Sequence, residues 1–327
     1  MPVVPPKLRP GSSVRVIAPS RSLAIIGAGV RAEADRKLAA LGLNVSFAEH
    51  AGECDDFSSS PVAARLADLH AAFADPDVDG ILTVIGGFSA NQLLTGIDYS
   101  LVAAHPKVLC GFSDITILSN ALYARAGLVG YSGPHYSSFG MKHHFGYTET
   151  GFRACVMEDG PITLALSPQW SDDAWFLDQE ERHLEQPTGW WVLQEGETDG
   201  IIVGGNLCTL NLLQGTPFMP PLKGSVVFAE DDAQVRPPDF DRDLVSLLQQ
   251  PAFAGVRGLV IGRFQKATGM TRDLLTQIVA SKPALAGLPV IANVDFGHTT
   301  PILTFPVGGT VELRAGSGAP RLTLTSH

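Results

Sequence analysis

Apolar residues fall along the first half of the chain in short uninterrupted runs, separated by amphipathic segments. A short apolar run spans residues 14–20, and the runs at residues 80–87 and 107–113 place hydrophobic side chains next to one another instead of alternating them. This is typical of strands that are buried on both faces. Residues 29–43 and 60–78 have helical spacing. The β-α order predicts a mostly parallel, Rossmann-like sheet with helices on its faces.

The second half repeats this pattern. Apolar runs recur at residues 200–206, 225–231, 256–264 and 288–298, with helical spacing at 239–253 and 271–281. The alternating tail at 306–327 indicates a hairpin. We therefore expect two α/β domains, the second of them smaller and mixed.

The segment between the two halves has a different composition. Residues 147–197 are weakly periodic, which favours loop and short strands, and all four tryptophans lie between residues 168 and 200. We expect an N-terminal domain over residues 1–165, a connector over 166–200 and a C-terminal domain over 201–327.

Charge and cysteine spacing exclude several function classes. A formal net charge of −10 argues against binding to nucleic acid or to anionic membrane surfaces. The first residues lack the pattern of a signal peptide, and no apolar run approaches the roughly 18 residues of a membrane span. The four cysteines are far apart, so we expect buried free thiols, no metal site and a cytoplasmic protein.

Ser113 lies where a buried strand meets a helix, in the sequence GFSDI at residues 111–115. A serine before a helix commonly caps it. The same strand-turn-helix position exposes the nucleophile in hydrolases, whose usual motif is G-x-S-x-G. Ile115 stands where that motif has its second glycine, so the motif alone leaves both interpretations open.

Gly86 and Gly87 follow another buried strand. Two glycines can simply turn the chain. Alternatively, a backbone amide here could form half of an oxyanion hole, with the Asp114 amide as the other half. The sequence around them is neither a G-x-G-x-x-G fingerprint nor a phosphate-binding loop, which argues against nicotinamide and nucleoside triphosphate chemistry.

Glu230 and His298 end two further apolar runs. His298 stands between Gly297 and Thr299, and these small neighbours leave room for its ring to reach a cleft. Near Ser113 it would act as a general base, with Glu230 fixing its tautomer. For the adjacent Asp231 and Asp232 we expect a solvated loop.

Taken together, these segments resemble one family along nearly the whole chain. GGFSANQLL, GFSDIT, GGNLCTL, FAED and DFGHTTPILTFPVGG occur in the order found in the serine peptidases that comprise LD-carboxypeptidases and microcin C self-immunity peptidases. The resemblance implies Ser113 as nucleophile, Glu230 as acid and His298 as base, and an oxyanion hole from the Gly87 and Asp114 amides. It also implies no metal or other cofactor, a homodimer, and an active site between the domains.

The family has two branches that differ in substrate. LD-carboxypeptidases remove the terminal D-alanine from cell-wall tetrapeptides. The immunity-type enzymes cleave the amide between an aminoacyl group and a sulfamoyl- or phosphoramide-linked adenylate, and their longer connector carries a tryptophan that stacks on the base. The connector here contains TGWWVLQEG, which favours the immunity type. Gln265 stands where that branch has an acid. Candidate substrate-binding residues are Gly86, Trp190, Trp191 and Asn206.

A protein of another class could share many of these features. A non-catalytic binding protein for a small molecule would need the cleft and the glycines, but not a convergent Ser113, Glu230 and His298. The distances from His298 to the other two side chains separate the hypotheses. An amidotransferase-like enzyme would need a cysteine at the turn, and Cys110 lies three residues too early.

Overall fold

The computed structural model describes residues 2–316 and 318–327, which form two β-sheets with flanking helices. The strands are β1 (Ser13–Ile17), β2 (Asn44–Phe47), β3 (Gly80–Thr83), β4 (Val108–Cys110), β5 (Gly130–Ser132), β6 (Ile162–Thr163), β7 (Trp191–Gln194), β8 (Gly196–Asn206), β9 (Ser225–Glu230), β10 (Gly258–Gly262), β11 (Val290–Val294), β12 (Phe305–Val307), β13 (Thr310–Ala315) and β14 (Arg321–Ser326).

Helices pack on both sheets. They are α1 (Ala28–Ala40), α2 (Val62–Ala74), α3 (Tyr99–Ala104), α4 (Thr116–Ala126), α5 (Gly146–Met157), α6 (Leu207–Asn211), α7 (Pro237–Leu248) and α8 (Arg272–Ala280). None of the helices in the described part of the chain is long and apolar enough to cross a membrane.

The first sheet has the strand order β12-β5-β4-β3-β1-β2. Strands β1 to β5 run parallel, and β12 adds an antiparallel edge beside β5. Strands β3 and β4 are buried along their whole length. The predicted Rossmann-like sheet is confirmed.

The second sheet has the order β6-β14-β13-β8-β9-β10-β11-β7. Its centre, β8 to β11, is parallel, and antiparallel strands flank it on both sides. This confirms the predicted mixed α/β unit and its C-terminal hairpin. The domain boundaries at residues 165 and 200 stay a prediction. Strand β12 comes from the later part of the chain but completes the first sheet.

Two local expectations are wrong. Helix α5 occupies part of the segment that was predicted to be loop and short strands. Its buried Phe152, Cys155 and Val156 have helical spacing, but a single short apolar face gives a weak periodic signal. Among the cysteines, which are all free, Cys54 and Cys208 are exposed and not buried.

The sequence GGN at residues 204–206 brings α4 against β8. Gly204 and Gly205 have φ values of +113° and +132°, and a Cβ on Gly205 would lie 2.5 Å from Thr116 Oγ1. Asn120 on α4 accepts a hydrogen bond from the Gly204 amide (3.0 Å) and donates one to the Gly204 carbonyl (2.9 Å). The Asn206 amide donates to Thr116 Oγ1 (2.9 Å). These buried bonds join the two sheets.

We expect the Asn120→Ala variant to be less stable than the wild type. The substitution leaves the buried amide and carbonyl of Gly204 without partners, which costs about 1–3 kcal/mol for each group. Urea unfolding followed by circular dichroism would measure the change. Asn44→Ala is the matched control, because Asn44 makes a similar bond to the Gly11 carbonyl in an exposed position. Equal losses in both variants would contradict the role given to Asn120.

Candidate active site

Ser113 lies on a strained turn between β4 and α4. Its φ is +61°, a left-handed conformation that costs a non-glycine residue on the order of 1–3 kcal/mol. The Ser113 hydroxyl makes no capping hydrogen bond to the short 3₁₀ turn at Ser113–Ile115 or to α4. A Cβ on Gly86 would lie 2.9 Å from Ser113 Cβ and 3.0 Å from Ser113 Oγ. The glycine therefore leaves room for the serine side chain, which faces a cavity.

His298 lies between Ser113 and Glu230. Its Nε2 is 3.1 Å from Ser113 Oγ, and its Nδ1 is 2.8 Å from Glu230 Oε2. Glu230 is buried at the end of β9, and His298 follows β11. Gly297 has a φ of +110°, and a Cβ there would lie 2.7 Å from Glu230 Oε2. The geometric condition that separates a hydrolase from a binding protein is met.

Glu230 favours the charged form of His298. Burial of the imidazole opposes its protonation, but the negative charge and hydrogen bond of Glu230 outweigh burial, and the pKa of His298 is raised above its usual value. The pair is thus suited to accept a proton from Ser113 and to hold it as an imidazolium.

The Asp114 carboxylate fastens the Gly86–Gly87 loop to the serine turn. It is buried and accepts hydrogen bonds from Ser20 Oγ (2.5 Å), the Ser89 amide (3.0 Å) and the Ala90 amide (2.9 Å). The backbone amides of Gly87 and Asp114 have no acceptor among the described residues. The sequence indicated a role for the Asp114 amide only, and this role of the side chain was not predicted.

A cavity of about 400 Å³ opens above Ser113. The sequence-predicted residues in its lining are Gly86, Gly87, Ser113 and His298. Further lining residues that sequence analysis missed are Arg21, His135, Trp175 and Phe176. Arg21 and His135 follow β1 and β5. Because parallel strands end at one edge of a sheet, this position was the signal that could have identified them.

His135 is a neutral component of the cavity wall. It is buried, its Nδ1 lies 2.8 Å from Thr83 Oγ1, and its ring stacks on Phe112. Burial lowers its pKa to about 3, and the nearby charges of His298 and Arg21 act in the same direction. His135 therefore carries no charge at neutral pH.

The expectation that Trp190 and Trp191 face the substrate is wrong. Trp190 Nε1 donates to Asp295 Oδ2 (2.8 Å), and Trp190 lines a separate groove on the second sheet. Trp191 lies in β7, the edge strand of the second sheet, which pairs with β11. Neither side chain lines the cavity that contains Ser113.

Another part of the connector reaches the cavity instead. Ser171 and Thr300 exchange two backbone hydrogen bonds of 2.7 Å each, which dock the connector beside the segment that carries His298. Trp175 and Phe176 follow Ser171 and line the cavity.

Asn206 lies outside the cavity lining. Its Oδ1 accepts from the Thr209 amide and caps α6, and its Nδ2 donates to Asp231 Oδ1 (3.1 Å). Both polar groups of the side chain are therefore engaged within the protein, and the cavity gives no support to the expected role of Asn206 in substrate binding.

Asp231 is buried, contrary to the solvated position expected for it. Burial raises its pKa to about 8, and the neighbouring charge of Glu230 acts in the same direction. Its ordinary value is 3.8. Below pH 4 the carboxyl of Asp231 is protonated in both the folded and the unfolded protein, and its burial is tolerated. As the pH rises towards 8, the unfolded state releases this proton more readily than the folded state, and the contribution of Asp231 to stability is lost.

We expect Asp231→Asn to be more stable than the wild type near pH 8, by roughly 1–3 kcal/mol, and equally stable near pH 4. Asparagine keeps the acceptor for Asn206 without a buried charge. Urea unfolding at several pH values would measure the difference. Asp232→Asn, which changes the neighbouring and more exposed carboxylate, is the control. A stability difference that does not vary with pH would contradict this account.

Comparisons with known proteins agree with the two-sheet arrangement. The family profile described as the LD-carboxypeptidase N-terminal domain matches residues 14–133, and the LD-carboxypeptidase C-terminal domain matches residues 199–313. Putative carboxypeptidase YocD of Bacillus subtilis is 48% identical over 98% of this chain and 99% of that protein. The probable murein peptide carboxypeptidase of the same organism is 30% identical over 82% of this chain and 79% of its own length.

Solved structures of similar proteins have the same fold. An MccF-like protein from Bacillus anthracis has a TM-score of 0.98 at 46% identity, covering 99% of this chain and 100% of that one. The microcin C7 self-immunity protein MccF in complex with aspartyl sulfamoyl adenosine has a TM-score of 0.90 at 25% identity, covering 100% and 99% of the two chains.

Proposed function

The chain belongs to the family of LD-carboxypeptidases and MccF-type self-immunity proteins, and on this premise we propose that it is a metal-independent serine hydrolase of amide bonds. The preferred substrate is an aminoacyl or peptidyl group linked through an amide to a sulfamoyl- or phosphoramide-linked adenylate. The observation that carries the proposal is the chain of hydrogen bonds from Ser113 through His298 to Glu230 at a cavity wall.

In the proposed mechanism, Ser113 Oγ attacks the carbonyl carbon of the scissile amide while His298 Nε2 takes the hydroxyl proton. The carbonyl oxygen gains negative charge and accepts hydrogen bonds from the Gly87 and Asp114 amides. His298 then gives its proton to the leaving nitrogen as the C–N bond breaks. A water molecule then attacks the acyl carbon while His298 takes its proton, and His298 returns this proton to Ser113 Oγ as the ester bond breaks. Glu230 orients His298 and stabilises its charged form throughout.

Trp175 and Phe176 favour the nucleotide-type substrate. The relative bound to aspartyl sulfamoyl adenosine accommodates a nucleoside, and in this chain an indole and a phenyl ring line the cavity. Stacking of a base on an aromatic side chain contributes roughly 1–3 kcal/mol. We therefore propose that Trp175, and not Trp190 or Trp191, stacks on the base of the substrate.

Cleavage of a cell-wall tetrapeptide with release of D-alanine is the second candidate. It is favoured by the relative named as a probable murein peptide carboxypeptidase. The same three side chains would serve, and only recognition of the leaving group would differ. The expected homodimer and cytoplasmic location remain predictions for either substrate.

We expect Ser113→Ala and His298→Ala each to lower kcat/KM by at least about 10³-fold, because the two groups act in one proton transfer. For the same reason, the double variant should be scarcely slower than either single variant. Mass spectrometry of the products from an aminoacyl-sulfamoyl adenosine and a D-alanyl tetrapeptide would measure this and identify the substrate.

Ser137→Ala is the control, since Ser137 lines the cavity without contacting His298. Penalties that multiply in the double variant would indicate independent roles and contradict the mechanism. EDTA should leave the wild-type rate unchanged.

We expect Trp175→Ala to lower kcat/KM for an aminoacyl-sulfamoyl adenosine by roughly 10- to 100-fold, matching the loss of a stacked base. Activity on a tetrapeptide should hardly change, because that substrate has no base. Trp190→Phe is the control: it removes the bond to Asp295 and should affect both substrates alike. An equal loss on both substrates in Trp175→Ala would contradict stacking.

A further inference from the structure

Arg21 lies next to the loop that approaches Ser113. It follows β1, lines the cavity, and donates through Nε to the carbonyl of Gly86 (3.1 Å). Its Cγ is 2.8 Å from the position that a Cβ on Gly87 would take. The side chain is thus held against the two glycines whose loop faces the serine, with its guanidinium at the reacting end of the cavity.

The charge of Arg21 has no acidic partner in the described part of the chain. No carboxylate oxygen there lies within 4 Å of its nitrogens, although the chain has an excess of acids and a net charge of −10. Asp114, the carboxylate beneath the same loop, already accepts three hydrogen bonds from Ser20, Ser89 and Ala90. Asp232, the acidic residue of the cavity lining, does not pair with Arg21 either.

The imidazole of His135, which also lines the cavity, does not compete for an anion. His135 is buried and uncharged, and its Nε2 has no hydrogen-bond partner in the described residues. Thr83 Oγ1 donates to the Cys110 carbonyl, so it accepts from His135 Nδ1, and His135 Nε2 is left as an acceptor. An acceptor does not bind a carboxylate. Among the lining residues Arg21 is the permanently charged cation, whereas His298 is the proposed base and changes its charge during the reaction.

We propose that Arg21 binds an anionic group on the leaving group of the substrate, whose central atom lies one or two bonds from the scissile nitrogen. This inference rests on the proposed function and specifies its substrate class. Both candidate substrates carry such a charge: the carboxylate of a terminal D-alanine lies one carbon from the nitrogen, and a sulfamate or phosphoramidate is attached to it directly. An internal peptide bond has no charge at this position, so Arg21 restricts cleavage to acyl groups with an anionic leaving group.

Two matched substrate pairs test the proposal. The first is a tetrapeptide that ends in D-alanine and the same peptide ending in D-alaninamide. The second is an aminoacyl-sulfamoyl adenosine and the neutral aminoacyl amide of 5′-amino-5′-deoxyadenosine. The wild type should favour the anionic member of the pair it cleaves by about 10- to 100-fold in kcat/KM, the range expected for a charge-assisted hydrogen bond in a cavity.

In Arg21→Gln this preference should fall to less than about threefold, and Arg21→Lys should retain part of it, because the charge remains while the paired donors are lost. Arg242→Gln is the control, since Arg242 is an exposed, salt-bridged residue of α7 outside the cavity lining. A loss of the same factor on both members of a pair would overturn the proposal and leave Arg21 as a support of the Gly86 carbonyl.

Binding to the Ser113→Ala variant separates this inference from the proposed function. If the wild type cleaves none of the four compounds, the proposed function fails. Calorimetry still decides the role of Arg21: the anionic member should bind Ser113→Ala about 10-fold or more tightly than the neutral one, and Arg21→Gln in that background should abolish the difference. Equal affinities of Ser113→Ala for both members overturn the proposal.

Discussion

The contact between Ser113 and His298 depends on the buried hydrogen bonds that fasten α4 to β8. Ser113 belongs to the first sheet, whereas Glu230 and His298 belong to the second. Helix α4 begins three residues after Ser113 and carries Asn120, which bonds both backbone groups of Gly204. A shift of this helix by 1 Å would move Ser113 Oγ beyond hydrogen-bond reach of His298 Nε2, now 3.1 Å away. Helix α4 can pack so closely on β8 because residues 204 and 205 are glycines.

A second constraint holds Ser113 in its strained conformation. The left-handed φ of a serine costs on the order of 1–3 kcal/mol, and a hydrogen bond to a charged group contributes about 1.5–3 kcal/mol. The three bonds that Asp114 accepts are therefore enough to offset the strain at the preceding residue. The same carboxylate fixes the loop of Gly86 and Gly87, so Ser113 and the amides that face it are positioned by one side chain.

The features predicted correctly from the sequence are those that residues close together in the chain determine by themselves. Buried parallel strands give continuous apolar runs, and small residues around Ser113 and His298 indicate close approach. Recognition residues were harder to predict. Tryptophans could be assigned to the connector, but the contacts that engage them, the Trp190 bond to Asp295 and the pairing of β7 with β11, involve residues about 100 positions later. Arg21 and His135 occur in unremarkable sequences, and only the common edge of the sheet brings them to the cavity.

In the proposed function, a division between reacting groups and recognition groups accounts for the two candidate substrate types on one fold. Ser113, Glu230 and His298 are tied to strand ends and buried bonds, so their geometry does not depend on the leaving group. Trp175 lies on a connector that Ser171 docks through backbone bonds to Thr300, and such a segment can change its side chains without moving the strands. Arg21 stands between these groups, bonded to the Gly86 carbonyl yet open to the cavity. In the proposed function, a cation there selects for charge next to the scissile bond, and the connector selects for what lies beyond it.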